Sequence, residues 1–82
     1  MTVHVSQQNI DDGIPGSEHG CPVALAMADR DLFAPVATEG NLYWGRGSRN
    51  MHPTPEHVAR FINDFDEGKP VGEIEFQLPD WK

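Results

Sequence analysis

The sequence predicts an α+β fold, an antiparallel sheet of about four strands with two helices on one face, in the order β-α-β-β-α-β. Three observations predict it. Val58, Phe61, Ile62 and Phe65 recur at i, i+3, i+4 and i+7, the apolar stripe of an amphipathic helix. Directly after it the period falls to two, with Ile74, Phe76 and Leu78 alternating against Glu73, Glu75 and Gln77, as in a strand with one buried face. Between Val36 and Trp44 two short alternating runs flank a Gly40-Asn41 pair, which suits a two-residue hairpin turn. A ferredoxin-like split βαβ sheet uses this element order.

Each element has its own signal. Val3 and Val5 alternate with Thr2, His4 and Ser6, giving a short first strand. Ile10 then meets Asp11-Asp12-Gly13, a turn signal, and Pro15-Gly16 is another, so the segment from Gly13 to Gly20 reads as a loop. From Cys21 to Ala28 the chain is apolar on every side, and Pro22 suits a first helical position; such a helix is buried or packed on a partner. Val36 and Thr38 open the hairpin, with Leu42 and Trp44 on one side of its second strand and Tyr43 on the other. Gly45-Arg46-Gly47-Ser48 breaks that strand, and Arg49 to Met51 resumes it briefly. Thr54 is placed to cap the second helix, Pro55 suits its first turn, and Gly68 stops it. Pro79 ends the last strand. No internal repeat, low-complexity run or linker divides residues 1–82, so one small domain is expected.

Size and charge narrow the function. A chain of 82 residues buries only about 60–65% of the surface its unfolded form exposes, so the core is small. Thirteen Asp and Glu against six Lys and Arg give a net charge of −7, which argues against coating nucleic acid or anionic membrane. Cys21 is the sole cysteine, which excludes an internal disulfide and fits a reducing compartment. No signal-peptide pattern follows Met1 and nothing approaches a membrane span; a cytosolic protein with a genuine N-terminus is expected.

Several short motifs occur in an order that carries a resemblance. Cys21-Pro22-Val23-Ala24-Leu25-Ala26, the hairpin, Val58-Ala59-Arg60-Phe61-Ile62, Phe65-Asp66-Glu67-Gly68, Pro70-Val71 and Phe76-Gln77-Leu78 together resemble a family of small hypothetical proteins of actinobacterial bacteriophages and prophages. The likeness spans Ile10 to Leu78. It implies a phage origin and a life in the cytoplasm of an infected host, and brings no activity or catalytic residues with it. Relatives often carry a second cysteine shortly before the Cys-Pro pair, where this chain has Ser17-Glu18-His19; that departure weighs against a thiol or metal role for Cys21.

Each candidate site also has a plain structural reading. Cys21 at a helix N-cap has the position that lowers a thiol pKa, with His19, His52 or His57 as conceivable bases. Cysteine is also simply a small residue that buries well. His19 and Cys21 with His52 or His57 offer nitrogen and sulfur for zinc, but one intervening residue is tighter than zinc spacing normally allows. Tyr43, Trp44, Arg46 and Arg49 interleave aromatics, cations and glycines in a way that can hold nucleic acid, against the overall charge, or a protein surface, for which Tyr, Trp and Arg are the energetically dominant types. Asp64, Asp66 and Glu67 near the end of the second helix, with Glu73 and Glu75, form either a solvated face or an imitation of a phosphate backbone. No Walker loop, dinucleotide fingerprint, nucleophile elbow or zinc-helix motif occurs. The expectation is a non-catalytic protein–protein interaction module without cofactor or metal. Its partner would be a host or phage protein or a second copy of itself, with no direct nucleic acid and no membrane. Tyr43, Arg46, Arg49, Asp64, Asp66 and Glu67 are the candidate contact residues. The alternatives are an acidic nucleic-acid-mimicking inhibitor and a Cys21-centred thiol or zinc protein.

Overall fold

The computed structural model describes residues 1–79. Its fold is α+β, with three α-helices and two antiparallel sheets. β1 (Thr2–Val5) pairs with β5 (Ile74–Gln77), placing Val3 opposite Phe76 and Val5 opposite Ile74. The alternation works as the residues dictate: Val3, Val5 and Phe76 are buried while Thr2, His4, Glu75 and Gln77 face out. The second sheet is a meander of β2 (Val36–Ala37), β3 (Asn41–Trp44) and β4 (Asn50–Pro53).

The expected single four-stranded sheet with two helices on one face is therefore replaced by two sheets and three helices. The reason lies in α2 (Pro22–Asp29), where Pro22, Val23, Ala24, Ala26 and Met27 are all buried. A helix apolar on every side needs cover from more than one direction, and one sheet face gives only one. α2 contacts β1 of one sheet and β2 of the other, so the two ladders meet at this helix. Its residues join Leu42, Trp44, Val58, Phe61, Ile62, Phe76 and Leu78 in one hydrophobic cluster.

The extra helix is α1 (Gln7–Asp12), in a segment that reads as strand end and turn. Ser6 and Asn9 form a capping box: the Ser6 hydroxyl accepts from the Asn9 backbone N–H at 3.2 Å, and the Ser6 backbone N–H donates to Asn9 Oδ1 at 2.9 Å. Asn stands where that motif ordinarily has Glu or Gln, which hides the start signal. The loop after it packs tightly on α2. A Cβ added at Gly13 would lie 2.5 Å from Cγ of Pro22.

The hairpin turn is shifted by one residue from the expected Gly40-Asn41. Ala37 pairs with Leu42, so Glu39-Gly40 forms the tip. The Thr38 backbone N–H donates to the Asn41 carbonyl at 3.1 Å, and the Thr38 hydroxyl accepts from the Asn41 N–H at 3.0 Å. Those bonds close the turn one residue early. Thr54 does not cap α3 (Glu56–Asp66), which follows Pro55 without a side-chain cap. Its hydroxyl instead donates to the Thr38 carbonyl at 2.7 Å, tying the end of β4 to the hairpin turn. The far end of α3 behaves as Gly68 predicts. With Gly68 at φ +80°, its N–H donates to the Phe65 carbonyl at 3.0 Å and the Lys69 N–H to the Asp64 carbonyl at 2.9 Å, the two bonds of a Schellman motif. α3 buries Val58, Phe61 and Ile62 and leaves Phe65 half-buried, its ring parallel to that of Phe61 with centroids 6.3 Å apart.

Candidate interaction surface

The pleat of the meander sorts side chains onto two faces. Leu42 and Trp44 are buried, so Tyr43 between them points outward. Register then lines Val36, Tyr43 and Met51 across all three strands on that outer face. Met51 remains 52% exposed and Tyr43 is half-buried. Val36, Tyr43 and Met51 are not members of the hydrophobic core cluster.

A second exposed aromatic adjoins the sheet where β3 ends. Phe33 is 63% exposed, and its carbonyl accepts from the Gly45 N–H at 2.7 Å, which fixes the loop against the strand. The Arg46 guanidinium lies 6.0 Å from the Phe33 ring centroid, a cation–π arrangement. Arg46 opens a three-residue 3₁₀ turn (Arg46–Ser48), and Arg49 follows at the entry to β4. Both arginines are exposed, and neither has a carboxylate partner among the described residues. By contrast, Arg60 meets Glu56 at 3.2 Å, and Lys69 reaches Glu67 at 3.0 Å and Asp64 at 3.9 Å.

Two non-glycine residues in this region hold left-handed backbone, Ala34 at φ +47° beside Phe33 and Ser48 at φ +55° beside Arg49. Such conformations cost about 1 kcal/mol or more for residues with a Cβ, and they persist where surrounding contacts over-determine them. Ala34 follows Phe33 in the chain, and Ser48 lies between the two arginines.

The acidic candidates do not act as one group. Asp64 and Glu67 both turn to Lys69; its hydrogen bond holds the Glu67 carboxyl below the ordinary range, and Glu67 in turn raises the Lys69 ammonium. Asp66 points elsewhere, accepting from the Gly16 backbone N–H at 2.9 Å. Glu73 is likewise engaged, by His4 at 2.8 Å and by the Gln7 N–H at 3.3 Å.

Cys21 sits at the N-cap of α2 as expected, but with the opposite electrostatic outcome. It is only 3% exposed, and burial pushes its thiol pKa up, the strongest of the influences on it. The position at a helix start does not compensate for desolvation of the thiolate. The histidines are not gathered around it. His57 bonds the Glu75 carbonyl, His4 meets Glu73, and His19 approaches its neighbour Glu18 at 3.8 Å. Among the described residues no three His, Cys, Asp or Glu side chains are placed to share a metal ion.

A cleft of about 320 Å³ opens beside the hairpin turn. Buried Cys21, Ala37 and Ile62 contribute to its apolar lining, and the exposed carboxylates of Glu18, Glu39 and Asp66 border it. The sequence alone offers Tyr43, Arg46, Arg49, Asp64, Asp66 and Glu67 as candidates; it does not point to Phe33, Met51 or this cleft, which the structure adds. An aromatic residue in a loop carries no period from which its exposure can be read, and the cleft joins segments 16 to 50 residues apart. Compared with known proteins, the chain matches no family model, no curated protein and no solved structure.

Proposed function

We propose that the chain is a non-catalytic protein-interaction module, of bacteriophage or prophage origin, that acts in the cytoplasm of its host. The observation that carries the reading is the surface at the Gly45 end of the meander. There Tyr43 and Met51 line the outer sheet face, Phe33 stands exposed beside Arg46, and Arg46 and Arg49 have no carboxylate partner among the described residues. Aromatic and arginine side chains dominate binding energy at protein interfaces because they combine large contact area with directional polar groups. The phage origin rests on the ordered motifs from Cys21 to Leu78.

The inhibitor that imitates nucleic acid draws less support. Asp64 and Glu67 are drawn to Lys69, which partly neutralises them, and Glu73 is tied up in a hydrogen bond with His4, whereas a phosphate mimic needs its carboxylates displayed. The buried, alkaline-shifted Cys21 gives no support to a thiol enzyme.

The test compares partner capture from actinobacterial lysate by the wild-type chain, by a Phe33→Ser/Tyr43→Ala/Arg46→Ala variant, and by an Asp64→Asn/Glu67→Gln variant. The reading expects the first set of changes to abolish capture and the second to leave it intact. Capture lost only with the acidic changes, and weakened steeply by salt, transfers the assignment to the acidic inhibitor.

A further inference from the structure

Two ends of the β2–β3–β4 sheet are chemically complementary. At the Gly45 end, exposed Arg46 and Arg49 stand without carboxylate partners among the described residues, beside exposed Phe33. The other end is the Thr38–Asn41 turn, reached by running along β2 away from Phe33. There the Ala37 N–H donates to the Glu18 carbonyl at 2.8 Å, bringing the 14–20 loop against the sheet, and the 320 Å³ cleft opens. Glu18, Glu39 and Asp66 border that cleft over an apolar lining that includes Cys21, Ala37 and Ile62. The bond from the Gly16 N–H to Asp66 Oδ1 fixes one of these carboxylates in place. Apolar surface thus accompanies charge at both ends, the Phe33 ring beside Arg46 at one and the cleft lining at the other.

This pattern has the chemistry of a guanidinium receptor. Arginine carries an apolar stem that packs along hydrophobic surface and a planar head whose donors match carboxylates in pairs. The cleft lies at the lower end of the ~300–1,000 Å³ range of small-ligand sites, a size for side chains rather than for a folded element. Both halves of the match are present on one chain, so a second copy supplies the complementary charge.

We propose that the protein self-associates head to tail, the Arg46 and Arg49 end of one copy seating on the carboxylate-bordered cleft of the next. This rests on the interaction-module reading and names a second copy as a partner. The two surfaces differ, so the contact is heterologous: every added copy leaves one cationic end and one cleft open, and assembly proceeds to a ring or an open chain. The net charge of −7 on each copy opposes approach at long range. At physiological ionic strength the Debye length is about 8 Å, which screens that repulsion while the contacting pairs persist.

Sedimentation equilibrium from micromolar to millimolar protein at physiological ionic strength tests the proposal. Wild-type protein is expected to rise above the 9.1 kDa monomer mass with concentration. R46E/R49E alone and E18K/E39K alone are each expected to stay at the monomer mass, and an equal mixture of the two, in which every contact again joins opposite charges, is expected to recover association. Circular dichroism melts confirm that the variants fold; where a reversed variant does not, R46Q/R49Q takes its place and is expected to weaken association at least tenfold. A wild-type chain that remains monomeric throughout overturns the proposal, as do association surviving both reversals and a mixture that fails to recover it. Partner capture that persists in a monomeric wild-type chain leaves the interaction-module reading standing without self-assembly.

Discussion

The Asn9 side-chain amide donates to Asp29 Oδ2 at 2.9 Å, joining the first helix to the last residue of the second. A carboxylate at a helix C-terminus is disfavoured by the macrodipole, and this donor offsets part of that cost. Asn9 is itself buried, and its other polar atom serves the Ser6 capping box. Replacing Asn9 by Ala therefore removes a cap partner and a helix-to-helix bond together. A loss of about 1–3 kcal/mol is expected, read as a lower urea midpoint with unchanged slope.

Gly13 is required by its neighbour rather than by its dihedral angles. The Pro22 ring occupies the space a Cβ would take, with Cγ and Cδ 2.5 and 2.6 Å away. Gly13→Ala forces that ring, and with it the start of α2, to shift. The expected cost is about 1–3 kcal/mol, measured by thermal or urea melts. Gly72→Ala, where nothing lies within 4 Å, serves as the control and is expected to change little.

The Cys21 thiol is expected to resist alkylation and disulfide exchange in the native protein and to react fully in denaturant, because it is buried and its thiolate is disfavoured. Its pKa is raised on folding, so the folded state prefers the protonated form more strongly than the unfolded chain does. The associated stability is complete below the ordinary thiol value, about 8.5, and is lost as pH climbs from there toward the folded value. A Cys21→Ser variant should lack this alkaline component of the stability profile. Urea midpoints from neutral to alkaline pH check it.

Lys69 holds the Glu67 carboxyl below the ordinary range. Lys69→Ala is expected to return Glu67 upward to an ordinary carboxylate value, measured by NMR titration of the side-chain carboxyl. A depressed acid contributes stability above its unfolded pKa and loses it as pH falls through the folded one. The matching contribution of Lys69, whose pKa is raised, disappears instead at high pH, as pH rises through its folded value. Both groups are fully exposed, so added salt should shrink the shifts.

Legibility in the sequence followed the range over which the information acts. Val58 to Phe65 and Ile74 to Leu78 carry their periods locally, and both became the elements that those periods indicate. Gly68 ended its helix because a left-handed residue is a local requirement. The failures were non-local or disguised. Asn9 in place of Glu or Gln concealed α1, and the Thr38 hydroxyl moved the hairpin tip by one residue. The division into two sheets depends on how α2 is covered, which no window of sequence contains. For the candidate surface, residue type alone suggests Tyr43, Arg46 and Arg49, whereas Met51 joins them only through strand register and Phe33 only through the path of its loop. Asp64, Asp66 and Glu67 are close neighbours along the chain, yet Asp66 faces the 14–20 loop while the other two face Lys69.

Pairing of Thr2 with Gln77 and of Val5 with Ile74 means that β1 finds its ladder partner only 69 to 75 residues further along the chain. Until that distant segment docks, Val3 and Val5 present an open strand edge, so closing a loop of this length makes the two-stranded sheet a slow step in folding and its unpaired edge a hazard while it lasts.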